Sequence, residues 1–98
     1  MAKNKINRVV VAQRAQERYD EMVADLEERY SPRVAQSFTD DFEEVVNKLK
    51  KNPAIFQYSS KDKDTRRALF SKSGAFLYKV IKDTTLLITT FFDTRMKQ

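Results

Sequence analysis

"SPRVAQSFTDDFEEVVNKLKKNP" (residues 31–53) carries apolar side chains at Val34, Ala35, Phe38, Phe42, Val45, Val46 and Leu49. Steps of three and four place them on one stripe of a helix. The ends are marked as well. Ser31 can cap the first turn with its hydroxyl, and Pro32 suits the first helical position, where no N–H is needed. Lys48, Lys50 and Lys51 complement the carbonyl end of the helix dipole, and Asn52-Pro53 stops the helix.

The same rhythm precedes it. Ala15, Tyr19, Met22, Val23, Leu26 and Tyr30 form a second stripe, while Glu17, Asp20, Glu21, Asp25, Glu27 and Glu28 occupy the other side of that helix. Two amphipathic helices joined this briefly predict an antiparallel hairpin with one apolar side that needs cover. Strand-like runs supply it. "INRVVVA" (residues 6–12) is short and β-branched, and "RRALFS" (66–71), "AFLYKVI" (75–81) and "LLITTFF" (86–92) follow the helices, separated by the turn sequences "KSG" and "KDT". Between helices and strands, "QYSSKDKDT" (57–65) reads as a polar loop. The expected fold is α+β in the order β-α-α-β-β-β. Its N-terminal helical hairpin packs on one face of a twisted antiparallel sheet, and Phe91 and Phe92 close the last strand inside the core.

Ninety-eight residues make one domain, 1–98, with a core of two layers. An apolar share of 41% is enough to bury such a core despite 34% charged residues. The chain has no cysteine and no histidine, which removes disulfides, a thiolate nucleophile and the usual structural zinc ligands. No metal and no cofactor are expected. Val9 to Ala12 is too short for a signal-peptide core, and no apolar run reaches membrane-spanning length. A cytoplasmic protein with no membrane contact is the expectation.

The net charge of +5 conceals a division: +4 over residues 1–14, −7 over 15–47 and +8 over 48–98. If the two ends meet in space, a basic face stands opposite an acidic one. Such a face suits a polyanion or an acidic protein, and it equally suits plain solvation.

Element order and punctuation resemble the RelE/ParE superfamily of toxins, also described as plasmid-stabilisation proteins. Residues 31–53 look like the second helix of that superfamily, "TRRALFSKSGAFLYKV" (65–80) resembles its Arg-rich strand, turn and following strand with a tyrosine at Tyr78, and "FFDTR" (91–95) is similar to its closing motif. The resemblance spans residues 6–95. It implies the toxin of a type II toxin–antitoxin pair that inhibits growth, with a cognate antitoxin as partner. It leaves two targets: DNA gyrase for ParE-like members, which are not known to be enzymes, and ribosome-bound messenger RNA for RelE-like endonucleases.

Cleaving RNA through its own 2′-hydroxyl needs a base, positive charge on the phosphate and an acid for the leaving oxygen. By the resemblance, Arg95 stands where RelE-like nucleases keep an arginine near the scissile phosphate. Arg67, Tyr78 and Asp93 are the other candidates for catalytic roles. Arg66, Lys50, Lys51, Lys61, Lys63 and Lys97 can contact a nucleic acid or another target. Arg67, Tyr78 and Arg95 are expected on one basic, concave sheet face. Departures weigh against cleavage: "GAFLY" lacks the arginine that follows the turn in those nucleases, Asp93 replaces a closing histidine, and only Met96, Lys97 and Gln98 follow Arg95. Structural roles compete too. Asp93 and Arg95 share a strand face and can form a simple ion pair, and Tyr78 can be sheet packing. The sequence favours a ParE-like toxin acting on a protein such as gyrase, with a RelE-like nuclease and a non-toxic interaction module as the alternatives.

Overall fold

The computed structural model describes residues 6–60 and 62–95. Six elements follow one another: β1 (Arg8–Val11), α1 (Gln13–Arg29), α2 (Pro32–Lys51), β2 (Arg66–Ser71), β3 (Gly74–Ile81) and β4 (Thr85–Asp93). The punctuation of α2 works as expected: the Val34 N–H donates to Ser31 Oγ at 3.1 Å, Pro32 occupies the first helical position, and the Asn52 N–H closes the far end on the Lys48 carbonyl. α1 has no side-chain cap at its start. Instead Ala12 serves strand and helix together, its N–H donating to the Ile88 carbonyl and its own carbonyl accepting from Gln16.

The sheet order is β1-β4-β3-β2. β2–β3 and β3–β4 are antiparallel, but β1 runs parallel to β4, so the sheet is mixed rather than wholly antiparallel. A single residue, Ala12, separates β1 from α1. Arg8 lies beside Thr85, Ala12 bonds to Ile88 and Asp25 reaches Arg95, so β1 and α1 advance along β4 in one direction. Arg8 and Arg95 therefore sit near opposite ends of β4.

Both helices cover one face of the sheet. Half-buried Phe42 of α2 packs against the core, with ring centroids 5.0 to 5.5 Å from those of Tyr19, Phe70, Phe76 and Phe91. Such tilted and edge-on pairs add about 0.5–1.5 kcal/mol each beyond the area they bury. Gly74 is required here by space: a Cβ would stand 2.5 Å from Phe70 Cζ and 2.8 Å from Phe38 Cε1.

A β-bulge decides which phenylalanine is buried. Leu77 pairs with Thr90 and Tyr78 with Ile88, which leaves Thr89 over. An extra residue resets the alternation of faces, so Leu86, Ile88 and then Phe91 point to the helices. Phe91 is buried, whereas Phe92 turns to the uncovered face and stays 37% exposed. The expectation that both lie in the core is corrected on this point. Residues 57–59 also do more than connect: Tyr58 forms a bridge with Arg66, and the Arg67 N–H donates to the Gln57 carbonyl at 3.0 Å, which covers the start of the β2 edge.

Candidate functional site

Arg95 is bound within its own molecule. Its Nε and Nη2 donate to Oδ1 and Oδ2 of Asp93 at 2.9 and 2.6 Å, and Nη2 also donates to Asp25 Oδ2 at 2.8 Å. The backbone N–H of Arg95 adds a further bond to Asp93 Oδ1 at 3.0 Å. Asp25 in turn accepts from Arg29 Nε at 2.8 Å. The Asp93 side chain is only 8% exposed, so this is no solvated surface pair. Donation from Arg95 holds the carboxyls of Asp93 and Asp25 below their ordinary range, against the opposing effect of burial. The two carboxylates likewise push Arg95 up, so it stays protonated. The triad fastens the end of β4 to α1 and lines a depression of about 470 Å³.

Tyr78 is buried under the helices, where its hydroxyl donates to the Pro53 carbonyl at 2.7 Å. Burial pushes its pKa up to about 12. The bond pins the segment after α2 onto β3. Arg66 and Arg67 point to opposite faces, as neighbours on a strand must. Arg66 donates to the Phe56 carbonyl at 2.7 Å and stacks on the Tyr58 ring at 3.9 Å, while Arg67 stands on the uncovered face with its guanidinium carbon 6.0 Å from the Phe92 ring centroid.

Arg67, Tyr78 and Arg95 therefore do not share a face. Arg67 is on the open side of the sheet, Tyr78 is inside, and Arg95 is on the helix side at the end of β4. Lys50 and Lys51 are exposed at the C-terminal end of α2, and Lys63 is exposed before β2. Lys61 and Lys97 lie outside the described residues. Among the described residues, no cluster of three acidic side chains is placed to hold a metal ion, and no helix is long and apolar enough to cross a membrane.

The open face brings together residues that the sequence did not single out. Lys79 and Leu77 of β3, Thr90 and Phe92 of β4 and Arg67 of β2 line a depression of about 600 Å³, rimmed by Ser59, Ser60 and Asp62. Alternation in β3 places Lys79 two residues from Leu77, which was legible. That Phe92 joins them depends on the bulge at Thr89, for which the sequence has no glycine signal. Asp25 was equally hidden, because its role depends on where β4 ends.

Two helices on one face of a mixed four-stranded sheet, in the order β-α-α-β-β-β, make this a RelE/ParE-like α+β fold. The solved structure described as the chromosomal ParDE TA system from P. aeruginosa is similar to it with a TM-score of 0.72, covering 88% of this chain and 94% of that chain at 14% sequence identity. At that identity the likeness is one of fold. No protein-family model matches the sequence, and no curated protein matches it.

Proposed function

We propose that this chain is the toxin of a type II toxin–antitoxin pair, held by a cognate antitoxin, and that it stops growth by binding a protein target, with DNA gyrase the target that the ParE-like resemblance suggests. The fold likeness to a ParDE TA system supports the toxin reading. The state of Arg95 carries the choice of a protein target over RNA. Two carboxylates already occupy its guanidinium, at 2.6 to 2.9 Å, and their negative charge opposes a phosphate at the same place. A nuclease also needs base, acid and cation around one scissile bond, and Arg67, Tyr78 and Arg95 stand in three separate environments. Cytoplasmic action follows from either target.

Messenger cleavage at the ribosome is the second reading. Its support is Arg67 and Lys79 on the open face, where both cations can meet phosphates. Induced expression in a bacterial host separates the two. The expected result is growth arrest with a DNA-damage response and intact messages. Messenger cleavage within minutes would transfer the case to the nuclease, and unimpeded growth in several hosts would end the toxin reading.

A further inference from the structure

Three segments far apart in sequence meet at the end of the molecule opposite Arg95. The Ile6 N–H donates to the Lys50 carbonyl at 3.2 Å and the Asn7 N–H to the Thr84 carbonyl at 2.9 Å, so the residues before β1 tie the end of α2 to the β3–β4 turn. This tie gathers five cations. Lys48, Lys50 and Lys51 stand on the last turn of α2, Arg8 follows Asn7, and Lys82 lies two residues before Thr84. All five are exposed. Among the described residues the ion pairs belong to Arg18, Arg29 and Arg95, and none of the five has a carboxylate within 4.0 Å. The acidic side chains nearest in sequence are Asp83, in the turn, and Glu44, one helical turn before Lys48.

The helix dipole accounts for the three lysines of α2. It does not account for Arg8 or Lys82, which lie on a strand and a turn. Lys82 is also poorly suited to its place: its φ is 54° and that of Asp83 is 66°, and a turn with two left-handed residues favours Asn and Gly. A lysine held there against backbone preference sets an ammonium at the tip. The helix carbonyls that would repel an anion are partly covered, since those of Lys48 and Lys50 accept from the Asn52 and Ile6 N–H groups.

We propose that this pole binds the phosphate backbone of a nucleic-acid duplex, with Arg8, Lys48, Lys50, Lys51 and Lys82 neutralising its phosphates. A duplex fits better than a single strand. Single strands are held by bases stacked on aromatic rings, and Tyr58, exposed on the segment after α2, already carries the Arg66 guanidinium on its ring. An anionic membrane fits less well, because it takes up an apolar face and Ile55 is the exposed large apolar side chain that follows the lysines. One such side chain is ordinary surface. The site is separate from Arg67, Tyr78 and Arg95 and does not rest on the toxin reading. It gives Lys50 and Lys51, which the sequence offered to a nucleic acid or another target, a defined ligand.

Purified full-length protein tests this apart from growth arrest. A labelled DNA duplex of about 20 base pairs, the RNA duplex of the same sequence and their separated strands are titrated by fluorescence anisotropy between about 50 and 200 mM KCl. Vesicles rich in phosphatidylserine are titrated alongside. The association constant for a duplex is expected to fall with salt at a log–log slope of about −3 to −4, the release expected for about four neutralised phosphates. Lys82→Asn and Arg8→Gln should each reduce that slope by about one, and Lys50→Gln combined with Lys51→Gln should weaken binding about tenfold at low salt. Lys72→Gln and Arg33→Gln remove the same charge at the other end of the molecule and should change affinity by less than about twofold, because salt screens distant charges. Circular dichroism checks the fold, and Lys82→Asn, which suits the turn, keeps the test decisive should another variant unfold. Either duplex binding in this pattern supports the proposal, and the tighter one names the source of the backbone. Absence of duplex binding at low salt, equal weakening by the distant substitutions, tighter binding of a separated strand, or tighter binding of vesicles that Lys82→Asn abolishes would each overturn it. None of these outcomes bears on whether induction stops growth.

Discussion

The two faces of the sheet are made by alternate residues of the same strands. Phe76 and Leu77 are neighbours in β3, yet Phe76 lies against the rings of Phe42, Phe70 and Phe91, whereas Leu77 borders the open depression. On the covered face, aromatic rings fill a closed space and every atom added or removed is felt. On the open face, Leu69 and Phe92 remain in contact with water, at 53% and 37% exposure, and so contribute less to folding. The difference separates residues kept by packing from residues free to serve a partner.

The sharpest way to break this contrast is to truncate the two neighbours in turn. Phe76→Ala is expected to lower unfolding stability by about 3–5 kcal/mol, and Leu77→Ala by about 1 kcal/mol or less, measured by urea denaturation. Equal losses would mean that the open face is part of the core. Gly74→Ala asks how closely the covered face is packed. Its new methyl meets Phe70 and Phe38, and a loss of about 1–3 kcal/mol is expected, against a near-neutral result if the rings can shift.

A smaller effect tests the seam between β4 and α1. Asp93→Asn removes a charge-assisted pair with Arg95, and about 1–2 kcal/mol is expected at neutral pH. The folded-state pKa of Asp93 is depressed, so its contribution is full above the ordinary carboxylate range and fades as pH falls through the folded value. The parent and Asp93→Asn should therefore converge in stability in acid, well below pH 4. A constant gap down to pH 2 would mean that the aspartate acts through shape rather than charge.

Much of the fold was legible because its signals are local. The stripe from Val34 to Leu49, the Ser31-Pro32 start and the Asn52-Pro53 stop each need only a few neighbouring residues to be read. The direction of β1 and the fate of Phe92 were not, since one depends on a partner strand more than seventy residues away and the other on a bulge at Thr89 without a glycine. The candidate site fared worse for the same reason. Asp93 and Arg95 were visible as a pair, but Asp25, which completes it, is seventy residues distant. Tyr78 looked chemically useful, and its chemistry is spent on holding the Pro53 carbonyl.

The parallel pairing of β1 with β4 has a consequence in time. Among the described residues, β1 is the first strand to be made, and its neighbour in the sheet is β4, the last. During synthesis, helices and hairpins can form from local contacts, but "RVVV" must wait for "TLLI" to appear before it finds its place. The ribosome making this protein therefore finishes the strands before their sheet can close, so a partially made chain cannot yet present the complete surface.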